Sequence, residues 1–213
     1  CDVVLIVSPS GQFLSSEDLE LMDRITSKEG IRELYLVASQ VDNQLYGSEK
    51  ISGNGILNKV IDGIEDKLTD QQRGVLNTLK QQYPDIKNTF DTLIENKVIV
   101  SSGICYNMMK NFENQSSWDE NMQKVWENLN YHYKDFFTNN DTAISNLKKL
   151  ANIEVIQKII DDVRNKKDTI LAKRKEEFIK AKYKALLEYK ESLEQDVKNQ
   201  IKTLTTTDIN EIK

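Results

Sequence analysis

Two apolar runs stand near the start of the chain, Val3 to Val7 and Leu34 to Val37, and each ends in small polar residues. Asp2 to Val7 (DVVLIV) is β-branched without alternation, the pattern of a strand covered on both faces. Ser8-Pro9-Ser10-Gly11 breaks it. Ser15-Ser16-Glu17-Asp18 then offers a cap-like serine, and Leu19, Met22 and Ile25 form an apolar stripe, so a helix follows that Gly30 closes. Glu33 to Ala38 (ELYLVA) is the second predicted strand. Strand, helix and strand in this order make a βαβ unit with right-handed crossover.

The next segment, Gly47 to Gly55, reads as a flexible Gly/Ser-rich loop. A helix is predicted from about Ile56 to Gln82, with Leu57, Val60, Ile61, Ile64 and Leu68 on one face. Tyr83-Pro84-Asp85 interrupts it, and a short helix runs on to about Ile94. Lys97 to Val100 (KVIV) reads as a third strand, ending at Ser101-Ser102-Gly103, with helix from Ile104 to Phe112. Three strands thus finish in small polar tips: Ser8-Pro9-Ser10, Ser39-Gln40-Val41-Asp42 and Ser101-Ser102-Gly103. In an open parallel sheet such tips share one edge, where ligands bind.

Residues 113–120 read as loop with a cap at Ser117. Asn121 to Phe137 is amphipathic helix, Asn139-Asn140-Asp141 a break, and Ile144 to Leu150 helix again. From Asn152 to about Leu204 there is neither proline nor glycine, and apolar residues recur at three- and four-residue steps. That predicts one very long helix, roughly 75 Å at about 1.5 Å per residue. Lys166, Lys167, Arg174 and Lys182 dilute its stripe, which argues against a perfect heptad zipper. The expected architecture is α/β, a parallel sheet with helices over residues 1–150, followed by a helical stalk or bundle segment over 151–213.

Charge supports that division. The 213 residues carry a net charge of −5, so the chain as a whole is no electrostatic magnet for nucleic acid. Residues 151–213 hold 14 Lys and Arg against 12 Asp and Glu, and residues 1–150 hold 15 against 22. Two cysteines make no disulfide framework and point to a reducing cytoplasm. No apolar run reaches the ~20 residues of a membrane span.

The candidate chemistry sits at the tips. Asp42 ends a strand, where a carboxylate can accept two adjacent hydrogen bonds; guanine offers an N–H and an NH2 at that spacing and adenine does not. The competing reading is an aspartate that caps the following turn. Ser101 and Ser102 stand where backbone N–H groups can meet a base oxygen, or else cap a helix. Gly47 and Gly53 do not make a phosphate loop: the spacing is wrong and the Gly-Lys-Ser/Thr ending is missing. His132, the single histidine, lies between Tyr131 and Tyr133 with no cysteine near it, which suits packing better than a triad or a zinc site. Lys173-Arg174-Lys175 with Lys180, Lys182 and Lys184 is either a solvated helix surface or a contact for anionic lipid.

The run Asp2 to Val7, its serine-containing turn, the helix and the stretch Leu34 to Asp42 together resemble the second half of a dynamin-superfamily GTPase domain, nearest to bacterial dynamin-like proteins of the labile enterotoxin output A type. Ser39-Gln40-Val41-Asp42 occupies the place of the family's Asn/Thr-Lys-x-Asp motif. The resemblance implies guanine recognition by Asp42, a loop braced by Ser39, and Gln40 along the base. Ser101 and Ser102 match the later serine-containing base loop. It further implies GTP as ligand, Mg²⁺ held by residues that precede Cys1, and GTP hydrolysis coupled to self-association through the helical region, peripheral to a membrane. Two departures stand out: Gln40 replaces the lysine whose stem stacks on guanine, and Ser39 replaces Asn or Thr. The phosphate loop and both switch motifs of the family do not occur in these 213 residues, so the chain by itself is expected to turn over no GTP. The alternative is a non-enzymatic coiled-coil scaffold whose α/β head binds protein.

Overall fold

A computed structural model describes residues 3–26, 33–82, 90–91 and 94–206. Strand β1 (Val3–Pro9) leads through a 3-10 turn (Ser10–Gln12) to helix α1 (Ser16–Thr26), and strand β2 (Glu33–Ser39) follows. A second 3-10 turn (Val41–Gln44) and helix α2 (Ser48–Ser52) precede the long helix α3 (Leu57–Gln82). Strand β3 (Ile99–Val100) is followed by α4 (Gly103–Lys110), α5 (Glu120–His132), α6 (Asn140–Ala151) and α7 (Ile153–Thr206).

The three strands form one parallel sheet in the order β1-β2-β3. Val3 pairs with Glu33 and Pro9 with Ser39, while Val37 pairs with Ile99 and Ala38 with Val100. The molecule is therefore α/β in its first part and otherwise helical. It divides into two compact units, Cys1–Arg164 and Asn165–Lys213. In the first unit β2 is the central strand, and Leu34, Leu36, Val37 and Ala38 are all buried. Helix α3 adds the buried face of Leu57, Val60, Ile64, Leu68 and Leu76. Phe112, Trp118, Trp126 and Phe137 close a second patch of the core edge to face, with ring centroids 5.6–6.0 Å apart. Among the described residues no helix is long and apolar enough to cross a membrane.

Several expectations are corrected. Strand β1 is not covered on both faces: Ile6 and Ser8 are buried while Val7 is 57 % exposed, because β1 lies at the edge of the sheet. Gly47 to Gly55 is not plain loop. Both end glycines have positive φ, +70° and +69°, and between them the chain makes the single-turn helix α2. Strand β3 does not begin at Lys97, since the Val98 amide donates to the Thr69 hydroxyl at 3.1 Å and not to a neighbouring strand. Residues 112–117 form a 3-10 helix, and the cap of α5 is Asp119, whose carboxylate accepts from the Met122 amide at 2.8 Å; Ser117 donates instead to the Asn114 carbonyl. Helix α5 ends at His132, and a 3-10 turn covers Lys134–Phe136. Asn139 is less a break than the cap of α6, which starts four residues before the expected Ile144. The interruptions expected at Gly30 and at Tyr83-Pro84-Asp85 lie outside the described residues.

Candidate functional site at the strand tips

The register ends all three strands along one edge, and the backbone there is laced together by the serines that follow each strand. Ser39 donates its hydroxyl to the Ser8 carbonyl at 3.1 Å, and Ser10 donates to the Gln40 carbonyl at 3.0 Å. The Val41 amide donates to the Ser101 carbonyl at 3.1 Å, and the Ser101 amide to the Ala38 carbonyl at 2.9 Å. On the far side the Ser102 amide donates to the Leu150 carbonyl at 2.9 Å, and the Asn152 side-chain amide to the Val100 carbonyl at 2.9 Å. The three tips are thus one hydrogen-bonded rim, anchored to the end of α6.

Gln40 turns the chain. Its φ of 57° and ψ of 37° lie in the left-handed region, which costs a non-glycine residue about 1 kcal/mol. Two donors to its carbonyl, the Ser10 hydroxyl and the Asn43 amide, hold it there. Its own side chain is exposed on the rim, and Ser39 beside it is half-buried.

Asp42 is recessed behind Gln40, only 5 % exposed. Its Oδ1 accepts the Ser102 hydroxyl at 2.5 Å, a charge-assisted bond across 60 residues of sequence. The Ser102 oxygen in turn accepts from the Cys105 amide at 3.2 Å, so it caps α4 as well as bracing the carboxylate. The Ser101 hydroxyl donates to the Ala151 carbonyl at 2.6 Å. Ser39, Gln40, Asp42, Ser101 and Ser102 therefore do converge, but with different fates. Gln40 faces outward, Asp42 is a braced carboxylate, and both serine hydroxyls of the third tip are engaged inside the protein. Among the described residues the carboxylate accepts no hydrogen bond from a side chain other than Ser102.

Two neighbours of Asp42, Tyr46 and Cys105, carried no signal in the sequence. The Tyr46 hydroxyl is buried and, among the described residues, has no hydrogen-bond partner; burial first, then the nearby Asp42 charge, raises its pKa. Tyr133 donates its hydroxyl to the Leu45 carbonyl, and burial pushes it up to about 12. Burial likewise pushes the Cys105 thiol to about 12, so it is an inert core group. His132 packs against Tyr46, ring centroids 4.8 Å apart, with the Lys50 Nζ 3.4 Å from its Nδ1. A cavity of about 220 Å³ opens beside the first tip, lined by Ser10, Gly11, Gln44, Lys67 and Gln71 among others. Among the described residues no three His, Cys, Asp or Glu side chains gather as ligands for a metal ion. No protein-family model matches the chain, and comparison with curated proteins and with solved structures returns no significant match.

Proposed function

We propose that the first unit is part of a guanine-nucleotide-binding domain of the dynamin-like GTPase kind, with Asp42 as the group that reads the base. The observation that carries the proposal is the bond from Ser102 to Asp42, which joins the tips of β2 and β3 and fixes one carboxylate oxygen. A carboxylate fixed in this way is pre-organised: it spends little entropy on orienting its second oxygen toward a donor pair. Gln40 is exposed at the same rim, and in this reading it lies along the base. Ser39 braces the loop through the Ser8 carbonyl, and Ser101 and Ser102 hold the opposite wall.

In this reading GTP hydrolysis belongs to a longer chain that also carries a phosphate-binding loop. In that reading Mg²⁺ is held, and phosphoryl transfer takes place, at residues of the longer chain. The part of the rim residues is to bind and select the base. The proposal extends to a cytoplasmic protein, peripheral to an anionic membrane through the basic stretch Lys173 to Lys184. A second reading, an α/β head that binds protein in a non-enzymatic scaffold, draws support from the deep burial of Asp42 and of both serines.

A single substitution separates the two. Asn has one acceptor and one donor where Asp has two acceptors, and xanthine has a carbonyl where guanine has its amino group. In the full-length protein, Asp42→Asn is expected to lower GDP affinity at least about tenfold, the equivalent of one charge-assisted hydrogen bond, and to raise xanthosine diphosphate affinity. Competition titrations with a fluorescent nucleotide measure both. A mere loss of folding cannot produce the gain for xanthosine. Unchanged GDP affinity removes Asp42 from base reading and leaves the scaffold.

A further inference from the structure

Residues 165–206 of the second unit are helix, and their apolar side chains stand in solvent. Phe178, Leu186 and Tyr189 are 62 %, 69 % and 65 % exposed, and Leu204 is 76 % exposed. Exposed groups of this size in one row mark a contact surface. The row has an eleven-residue period: Phe178, Tyr189 and Gln200 form one file, Leu171, Lys182, Leu193 and Leu204 the next, and Lys175, Leu186 and Val197 the third. Eleven residues fill three turns at about 3.67 residues each, close to the natural helix period, so the row runs almost straight along the helix.

Its spacing is also palindromic. Read from either end, the steps from Leu171 to Leu204 are 4, 3, 4, 4, 3, 4, 4, 3 and 4 residues. Turned end to end about a point between Leu187 and Glu188, Leu171 falls on Leu204, Phe178 on Val197, Leu186 on Tyr189, Lys182 on Leu193 and Lys175 on Gln200. The row is its own complement in the antiparallel sense.

Charge selects the same direction. Residues 173–184 hold six Lys and Arg against two Glu, and residues 191–202 hold three Asp and Glu against two Lys. A parallel pair would set the basic block on itself, whereas an antiparallel pair sets it on the acidic one. The lysine inside the row then has a place. Lys190, Leu193, Glu194, Val197 and Lys198 line a shallow depression of about 350 Å³, and the first four have the spacing of a hole that receives a knob from a facing helix. In the antiparallel register the knob is Lys182. Its stem crosses Leu193 and its ammonium arrives beside Glu194, as a long charged side chain does on an apolar seam.

We propose that residues 171–204 pair with the same residues of a second copy of this chain, antiparallel, about a two-fold axis between Leu187 and Glu188. The pairing does not depend on nucleotide binding. It buries the row and places Lys182 of each copy against Glu194 of the other, two equivalent contacts per pair.

Sedimentation equilibrium and cysteine cross-linking on the whole chain test it. The wild type is expected to reach a dimer. Lys182→Glu puts like charges together twice and is expected to weaken the dimer at least about tenfold. The exchange Lys182→Glu with Glu194→Lys is expected to restore it, and circular dichroism checks that the helix persists in each variant. Direction is read separately: mixing a Phe178→Cys chain with a Val197→Cys chain under oxidation is expected to give the mixed disulfide, with little of either single-site dimer. A monomer at every concentration overturns the proposal. So does self-cross-linking of Phe178→Cys alone, which requires a parallel pair or an antiparallel pair in another register, or a charge exchange that fails to restore the dimer while the helix is intact.

Discussion

Tyr46 shows how much of the site is decided by single atoms. Its hydroxyl is shut away from water and has no partner among the described residues, while Asp42 nearby has the Ser102 hydroxyl. An unpaired buried hydroxyl costs about 1–3 kcal/mol, and removing it together with its need for a partner is close to neutral or favourable. Tyr46→Phe is therefore expected to leave stability unchanged or to raise it by up to about 1 kcal/mol in urea denaturation. The substitution also has a pH signature. With its pKa raised from 10.0 by burial and by Asp42, Tyr46 keeps its proton in the folded chain where the unfolded chain loses it. The stability from that difference is complete below pH 10 and drains away as the pH climbs above it. In Tyr46→Phe the alkaline loss should be shallower but not abolished, since Tyr133 and Cys105, each raised to about 12, behave in the same sense. A steeper alkaline loss in the variant would show that folding lowers, and does not raise, the Tyr46 pKa. The sequence exposed Asp42 because it ends an apolar run. It did not expose Tyr46 or the grip of Ser102, because both depend on contacts across the fold that no local pattern encodes.

At the level of elements, the third strand shows a side chain overriding propensity. Lys97 to Val100 is β-branched enough to read as four residues of strand, yet pairing is confined to Ile99 and Val100. Thr69, on the buried face of α3, takes the Val98 amide, and Gln72 one turn on donates to the Asn96 carbonyl at 2.9 Å. Helix α3 thereby holds the entry to β3 and aims Ser101 and Ser102 at the rim. Thr69→Val keeps the shape and leaves a buried amide unpaired, at a cost of about 1–3 kcal/mol. Thr69→Ser keeps the acceptor and should lose clearly less. The measurement is the denaturation midpoint of each variant at unchanged slope. If valine and serine behave alike, the hydroxyl does not hold the strand. Helices with a strong apolar face, such as α3, were legible from period alone. The one-turn helix α2 was hidden by the two glycines that frame it, and the start of α6 by an Asn-Asn-Asp run that resembles a turn but supplies the cap.

For the molecule as a whole, charge and burial part company at nearly the same place. Among the described residues every buried apolar side chain lies between Ile6 and Ala151. Residues 171–204 offer exposed apolar groups and i,i+4 pairs such as Glu176–Lys180, 2.6 Å apart. Such solvent-exposed pairs add little each. The helix over residues 165–206 rests on local pairs and exposed apolar groups, whereas the first unit already holds its own core. A chain ending at Arg164 should therefore unfold cooperatively, with the midpoint of the first unit's transition unchanged. It should also lose the concentration dependence that pairing through the removed helix confers. Calorimetry at several concentrations reads both. A truncated chain that no longer folds would mean that the core needs residues beyond those now seen buried. One that still associates would move self-association onto the first unit, where the open edge of β1 and exposed Val7 become the surface to examine.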